Sequence, residues 1–267
     1  MTKNYTEKDY SSFDRPEILQ CVFHPRKDFS PPASGNNASH MLFEVDDNVN
    51  IGVTLYHADK SAPIIFFFHG NGEIVSDYED LGPLFLDAGL NFFPVDYRGY
   101  GRSNGAPSVS AMMNDSHLLF KQAASWLSQN GFTGPLIIMG RSLGSASAIE
   151  IAAAYKDDID ALIIESGFAY IMPLIRLLGI YEDFPGVNEE NGPENYDKIK
   201  EYTNPTLIIH AEHDHIIPFS DGEVLYRNAG AQSKKLIEIK GADHNNIFYH
   251  GLKLYMQGII DLAKEVS

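Results

Sequence analysis

Short apolar runs recur along most of the chain and predict a series of buried strands. They are PIIFFFHG (63–70), NFFPVDY (91–97), LIIMG (136–140), ALIIES (161–166), TLIIHAE (206–212) and KLIEIKG (235–241). Several of them are apolar at nearly every position, which is typical of strands that are buried on both faces. Helix-like segments separate the runs, so the pattern predicts a parallel sheet with helices on both faces.

Further patterns predict elements before, between and after these runs. MLFEV and IGVTLYH flank the polar segment DDNVN and predict an antiparallel hairpin ahead of the first buried run. Apolar positions at helical spacing predict a helix over 108–129, and start and stop signals predict another over 220–230. A last helix is expected over 246–265.

The interval 167–204 interrupts this alternation, because it holds more chain than a simple crossover between two strands needs. It begins with the apolar, helix-like AYIMPLIRLLGIY and continues as an acidic, irregular segment. An insertion at the carboxyl end of a strand commonly covers the site of an α/β protein, so we expect a small helical cap here. A long surface excursion is the alternative. We expect residues 1–267 to form a single domain, with residues 1–40 as an N-terminal extension.

Composition narrows the possible partners and compartments. Hydrophobic residues make up 44% of the 267 residues, which is ordinary for a globular domain with a sizeable core. The formal net charge of -16 argues against binding to nucleic acid or anionic lipid, since both need a basic surface. The single cysteine, Cys21, excludes an internal disulfide framework, and no signal-peptide or transmembrane run is visible. We expect a soluble, cytoplasmic protein without a membrane anchor, of unspecified oligomeric state.

A serine between two glycines lies where a buried strand is expected to turn into a helix. In Gly140-Arg141-Ser142-Leu143-Gly144, the glycines allow strand and helix to approach closely while the serine exposes its hydroxyl from a strained backbone. This is the pattern of a nucleophile elbow, in which the amides of the following helix face developing negative charge. A plain structural turn is the alternative. The pattern makes Ser142 a candidate nucleophile.

A serine nucleophile needs a base and an orienting acid, which are expected later in the chain with the acid first. Asp214 follows the run TLIIH, and His244 follows the last apolar run, so both are expected in loops after strands. Glu212 and Glu165 are the rival acids. Asp243 is an immediate neighbour of the histidine and is expected to point elsewhere. Among these acids Asp214 is favoured as the partner of His244, because it is expected in a loop after a strand.

Metal binding by the same region is a further possibility. Three histidines and a carboxylate stand close together at His210, His213, Asp214 and His215, and they are suitable ligand types. In an extended segment these side chains would point to different sides. We therefore expect neither a metal nor a cofactor.

Two backbone N–H groups are expected to bind the oxyanion that forms during attack on a carbonyl. Leu143, directly after the serine, supplies one of them. The loop FFFHGNGEIVSDY, after the first parallel strand, is expected to supply the other from Asn71, with Gly72 as the alternative. His69 ends that strand and is expected to brace the loop, since it lies too early in the chain for the base.

With these residues identified, the chain resembles the α/β-hydrolase family. It is most similar to the small-capped serine hydrolases, which include peptidase-like and depalmitoylase-like members. The likeness extends from about residue 41 to the end, and FHPR near residue 23 also resembles an upstream segment of the family. The motifs stand in family order: FFHGNG, VDYRGYGRSNG, GRSLGSASA, IIESGF, YDKIKEYTNPTLIIHAEHDHIIP and KGADHNN.

The resemblance implies a Ser-Asp-His hydrolase fold with a mostly parallel, eight-stranded sheet. It puts Ser142 on the nucleophile, Asp214 on the acid and His244 on the base, and it puts Asn71 and Leu143 on the oxyanion positions. DYRGYGRS (96–103) matches a loop that shapes the floor of the site in the family, and we interpret it as structural.

These residues predict a serine hydrolase that cleaves an ester, thioester or amide bond through an acyl-enzyme. We expect a carboxylesterase that acts on small or medium acyl substrates. A non-catalytic binding protein of the same fold and an aminopeptidase-like amide hydrolase are the alternatives. Residues 171–204 hold seven acids against three bases, so an acidic rim would favour neutral or cationic substrates over acyl-CoA. A solvated outer face explains the same charges equally well.

Overall fold

The computed structural model describes residues 8–30 and 37–267 and contains an eight-stranded sheet. Its strands are β1 (Ala38–Asp46), β2 (Val49–Tyr56), β3 (Ile64–Phe68), β4 (Asn91–Val95), β5 (Leu136–Arg141), β6 (Ala161–Glu165), β7 (Thr206–Ala211) and β8 (Lys234–Ile239). Their order across the sheet is β1-β2-β4-β3-β5-β6-β7-β8. β1 and β2 form the predicted antiparallel hairpin, β2 also runs antiparallel to β4, and the remaining neighbours are parallel.

Helices connect most of these strands. They are α1 (Pro16–Val22), α2 (Leu81–Asp87), α3 (Val109–Gln129), α4 (Gly144–Ala154), α5 (Ile171–Leu177), α6 (Asn195–Lys198), α7 (Phe219–Asn228) and α8 (Ile247–Glu265). Ser108 caps the N-terminus of α3, because its hydroxyl accepts a hydrogen bond from the N–H of Ala111 at 3.1 Å. The predicted helices match α3, α7 and α8. The sequence analysis did not predict α1 and α2, which have 7 residues each and show little helical periodicity.

Different helices cover the two faces of the sheet, because side chains along a strand alternate between its faces. On β3, Phe66 and Phe68 join a core with α3, α4 and α7, while Ile65 and Phe67 join a second core with α2 and α8. Full burial of each such phenylalanine stabilises the fold by about 2 kcal/mol. The fold class predicted from the sequence, a mostly parallel eight-stranded sheet with helices, is confirmed.

Residues 167–204 join β6 to β7 and contain α5 and α6 with irregular chain between them. A buried cluster attaches this segment to the rest of the molecule. Lys198 of α6 pairs with Glu150 of α4, and the hydroxyl of Tyr10 donates to the same carboxylate at 3.1 Å. The cluster therefore joins the inserted segment, the helix after Ser142 and the N-terminal extension.

The N-terminal extension is described over 8–30 and from residue 37 onward. Residues 1–7 and 31–36 of the predicted extension lie outside the described residues. In the part of the chain that is described, none of the helices combines the length and the apolar character that crossing a membrane requires.

Candidate active site

Ser142 lies at a sharp corner between β5 and α4. Its backbone φ is +51°, a left-handed conformation that is strained for a residue with a side chain. A Cβ added to Gly140 would lie 2.3 Å from the carbonyl oxygen of Gly144, and one added to Gly144 would lie 2.2 Å from that of Phe68. Both distances are far shorter than a van der Waals contact. The corner that presents the serine therefore requires both glycines.

The structure brings Ser142, His244 and Asp214 into one chain of hydrogen bonds. Nε2 of His244 lies 2.9 Å from Oγ of Ser142, and Nδ1 lies 2.7 Å from Oδ2 of Asp214. The three residues follow β5, β8 and β7, whose carboxyl ends lie at the same edge of the sheet because the strands are parallel. In this geometry a histidine can take a proton from a serine while a carboxylate orients its ring.

His244 and backbone hydrogen bonds together hold Asp214 in its charged form. Its Oδ1 accepts from the N–H of Ile216 at 3.0 Å and from that of Ile217 at 2.8 Å. Burial raises the pKa of Asp214, but the hydrogen bond and charge of His244 and the N–H of Ile217 outweigh burial and lower the pKa. The carboxylate therefore stays ionised at neutral pH and can stabilise an imidazolium.

His210, at the end of β7, supports the loop that carries the acid. Its Nε2 donates to the carbonyl of Ile217 at 2.8 Å, and burial lowers the pKa of His210, so the ring is neutral. His213 and His215 are exposed, so the rings of this cluster point to different sides. Among the described residues, no group of three or more His, Cys, Asp or Glu side chains is arranged to hold a metal ion.

The other acids weighed as partners of His244 have partners elsewhere. Each is held in a different local network: Glu165 by Arg141 and Tyr255, Glu212 by Gly241 and Lys240, and Asp243 by Asn245 and Asn246. Asp214 is thus the carboxylate in hydrogen-bond contact with the histidine.

Asn71 and Leu143 lie on neighbouring loops at the same edge. Phe68 pairs with Gly140 in parallel register, so the loops after β3 and β5 begin side by side. Within the described residues, neither the N–H of Asn71 nor that of Leu143 donates to a protein acceptor. Two such N–H groups near a nucleophile are the arrangement that stabilises an oxyanion.

Arg141 is a residue that the sequence analysis missed. Its buried guanidinium contacts three segments around the site: Nε donates to Glu73 at 2.7 Å, Nη1 pairs with Glu165 at the end of β6, and Nη2 donates to the carbonyl of His244 at 2.9 Å. It fills the second position of Gly-x-Ser-x-Gly, but Glu73 precedes it by 68 positions. No local signal in the sequence connects them.

Comparisons with known proteins concern the family and the fold of the chain. A family model described as serine aminopeptidase, S33, matches residues 59–181. Alpha/beta hydrolase domain-containing protein 17B of Homo sapiens is 30% identical over 197 residues, which cover 70% of this chain and 62% of that protein. Lysophosphatidylserine lipase ABHD12 of Danio rerio is 29% identical over 245 residues, covering 77% of this chain and 62% of that protein. This chain thus spans less than two thirds of either relative.

A solved structure has the same fold. The Pyrococcus furiosus esterase Pf2001 superimposes with a TM-score of 0.69 and 16% identity, covering 88% of this chain and 98% of that one. The chain belongs to the α/β-hydrolase family. One of its relatives is named as a lipase, and one structure of the same fold is named as an esterase.

An apolar cavity of about 330 Å³ adjoins the loop that carries Asp214. Phe168, Leu174 and Leu177 line one side, and Ile216 and Ile217 line the other. α5 therefore forms a wall of the cavity, and Asp214 links the cavity to the chain of hydrogen bonds at Ser142.

The acids that line this cavity are not those of the inserted segment. Asp214 and Asp221 line it, whereas none of the seven acids between 171 and 204 does. Oδ1 of Asp221 accepts from the N–H of Ala169 at 2.7 Å, and burial raises the pKa of Asp221. The acids of the inserted segment therefore do not form a rim around this cavity.

Proposed function

We propose that the protein is a serine hydrolase that cleaves carboxylic esters through an acyl-enzyme. Ser142 is the nucleophile, His244 the general base and Asp214 the acid that orients it. The observation that carries this proposal is the chain of hydrogen bonds from Asp214 through His244 to Ser142, at 2.7 Å and 2.9 Å. The strained backbone of Ser142 supports it, because such strain concentrates at functional sites.

The reaction begins when Oγ of Ser142 attacks the substrate carbonyl carbon and passes its proton to Nε2 of His244. The N–H groups of Asn71 and Leu143 stabilise the negative charge on the carbonyl oxygen, and the N-terminus of α4 adds to their effect. His244 then gives the proton to the leaving alcohol, and Ser142 is left acylated. Water then attacks the acyl-enzyme and gives a proton to His244. As the carboxylic acid leaves, His244 passes this proton to Oγ of Ser142, which restores the free serine.

The apolar cavity supports acyl groups of small or medium size as substrates. Its volume of about 330 Å³ lies at the lower end of small-molecule sites. If a methylene takes about the 30 Å³ of a liquid water molecule, the cavity holds about eleven methylenes. We infer that residues 167–204 act as the cap of this site, since α5 forms one wall of it.

A profile of p-nitrophenyl esters tests the size limit. We expect kcat/KM to stay high from acetate to octanoate and to fall for palmitate, whose chain is longer than the cavity accommodates. Leu174→Trp should shift the limit towards shorter chains, because Leu174 lines the cavity. Equal kcat/KM for all chain lengths would contradict the assignment of this cavity to the acyl group.

Amide hydrolysis is the second candidate. It is favoured by the match of residues 59–181 to a family described as serine aminopeptidase. The same catalytic residues would serve, with an amine as the leaving group. Aminoacyl p-nitroanilides assayed beside the p-nitrophenyl esters separate the two, and a higher kcat/KM for the anilides would favour the peptidase.

Ser142→Ala is the central test of the proposed function. We expect it to abolish turnover of p-nitrophenyl butyrate and labelling by a fluorophosphonate probe, because the attacking oxygen is gone. Ser147→Ala is the matched control, since Ser147 is a buried serine on α4 whose hydroxyl has no hydrogen-bond partner among the described residues. Failure of the wild-type protein to react with the probe would favour a non-catalytic binding protein. Turnover retained in Ser142→Ala would refute the nucleophile.

A further inference from the structure

The loop that carries Asn71 is anchored by hydrogen bonds at both ends. At its start, the hydroxyl of Tyr97 donates to the carbonyl of His69 at 2.7 Å. At its end, Glu73 accepts from the N–H of Gly70 at 2.6 Å and from Arg141. These contacts fix the two ends of the loop. The orientation of Asn71, which lies between the ends, depends on the hydrogen bonds of its own side chain.

The side-chain amide of Asn71 is held by two residues from different parts of the chain. Its Oδ1 accepts from the hydroxyl of Tyr100 at 2.7 Å and from the N–H of His24 at 2.9 Å. Its Nδ2 donates to Nδ1 of His24 at 2.8 Å. The N–H of His24 also donates to the Tyr100 hydroxyl at 2.8 Å, which closes a ring of hydrogen bonds around the amide.

Both partners of Asn71 are themselves fixed in place. Tyr100 is fully buried, and its ring contacts that of His69 with centroids 5.6 Å apart. His24 belongs to the N-terminal segment, which pairs with Gly101 in a parallel bridge at Lys27. The carbonyl of Arg26 accepts from the N–H of Gly101 at 2.8 Å, so the segment cannot move without breaking backbone hydrogen bonds.

We propose that Tyr100 and His24 are positioning residues that aim the backbone N–H of Asn71 at the oxyanion through the side chain of Asn71. This inference rests on the proposed function, in which that N–H is an oxyanion donor. It gives a chemical role to the loop DYRGYGRS and to His24 of FHPR, which precedes the sheet in the chain. Neither residue touches the substrate in this role.

The expected effect follows from what the donor contributes. Loss of a whole oxyanion donor costs about 10²- to 10³-fold in kcat, and a donor that is present but poorly aimed loses part of that. We expect Tyr100→Phe to lower kcat about tenfold and His24→Ala about threefold, with KM for p-nitrophenyl butyrate within about twofold of wild type. Affinity for a trifluoromethyl ketone, whose serine adduct carries an alkoxide in the oxyanion position, should fall in parallel with kcat.

Two further variants separate aiming from general stability. Tyr202 is also fully buried, and its hydroxyl donates to the carbonyl of Ile159 at 3.1 Å, before β6 and far from the carboxyl edge. Tyr202→Phe should lower the melting temperature about as much as Tyr100→Phe but leave kcat unchanged. His24→Asn should restore the activity lost in His24→Ala, because Oδ1 of asparagine can take the place of Nδ1 as the acceptor.

The outcomes distinguish this inference from the proposed function. Wild-type kcat and inhibitor affinity in Tyr100→Phe and His24→Ala, together with an inactive Ser142→Ala, would overturn the positioning role alone. A loss of kcat in Tyr202→Phe equal to that in Tyr100→Phe would also overturn it. Turnover retained in Ser142→Ala would overturn the proposed function and the positioning role with it.

Discussion

Replacing Arg141 with methionine would remove the charge that joins two loops of the site to the end of β6. The guanidinium is buried and bonds to Glu73 on the loop of Asn71, to Glu165 at the end of β6 and to the carbonyl of His244. Methionine fills much of the same volume without a charge. Glu73 and Glu165 therefore lose their positively charged partner, while the packing is largely kept. We expect lower stability and a lower kcat.

The loss of stability can be worked from the two carboxylates. Burial raises the pKa of Glu73, but the charge of Arg141 and the hydrogen bond from Tyr78 lower it from 4.5 to about 2. That shift corresponds to about 3 kcal/mol, which screening reduces to about 2 kcal/mol because the Glu73 side chain is 26% exposed. Glu165 is 1% exposed, and leaving it unpaired brings the expected total to about 4 kcal/mol.

The loss should depend on pH. In the wild-type protein the lowered pKa of Glu73 stabilises the fold above pH 4.5, and this stabilisation disappears as the pH falls towards about 2. In Arg141→Met, burial acts without an opposing charge and raises the pKa of Glu73, so the variant is stabilised by protonation. The difference between the two proteins should therefore be largest at neutral pH and smaller at about pH 4.

Urea unfolding followed by circular dichroism at both pH values measures this difference. Arg102→Met is the matched control, since Arg102 is 26% exposed and lies 3.4 Å from Asp28, and we expect it to cost less than about 1 kcal/mol. The reasoning is refuted if Arg141→Met costs no more than Arg102→Met at pH 7. It is also refuted if the loss in Arg141→Met is the same at both pH values.

Two other substitutions test the site and its attachment. Asp214→Asn should lower kcat for p-nitrophenyl butyrate about 10³- to 10⁴-fold without unfolding the protein, because His244 loses the carboxylate that orients it. Near-normal kcat would show that another acid serves. Lys198→Met should cost about 3–5 kcal/mol in urea unfolding, because Glu150 is left charged and buried. Adding Glu150→Gln should recover most of that loss, and a double variant as unstable as the single one would contradict the explanation.

The parallel part of the sheet could be predicted from the sequence because its central strands, such as β3, β4, β6 and β7, are buried on both faces. β3, for example, has five consecutive buried positions, whereas a strand with one solvated face alternates between apolar and polar residues. The corner at Ser142 could also be predicted from the sequence, because a close approach of strand and helix requires glycine at both flanking positions. Short elements such as α1 were missed, because seven residues carry too little periodicity.

The contacts between distant segments could not be predicted in the same way. Arg141 at the end of β5 contacts Glu73 in the loop after β3 only because these two strands are neighbours in the sheet. His24 reaches Asn71 only because its segment pairs with Gly101. The acids that line the cavity are Asp214 and Asp221, whereas the composition pointed to the acidic stretch between 171 and 204.

The sequence by itself determined the order of strands and helices, because apolar runs and glycine positions are local signals. It also determined which residue types stand at the carboxyl ends of the strands. Only the tertiary structure decided which carboxylate meets His244, where the cavity lies and what holds Asn71 in place. Those outcomes depend on angles and distances between segments separated by tens of residues. Local sequence does not encode them, because they are set by the order of strands in the sheet and by the packing of its connections.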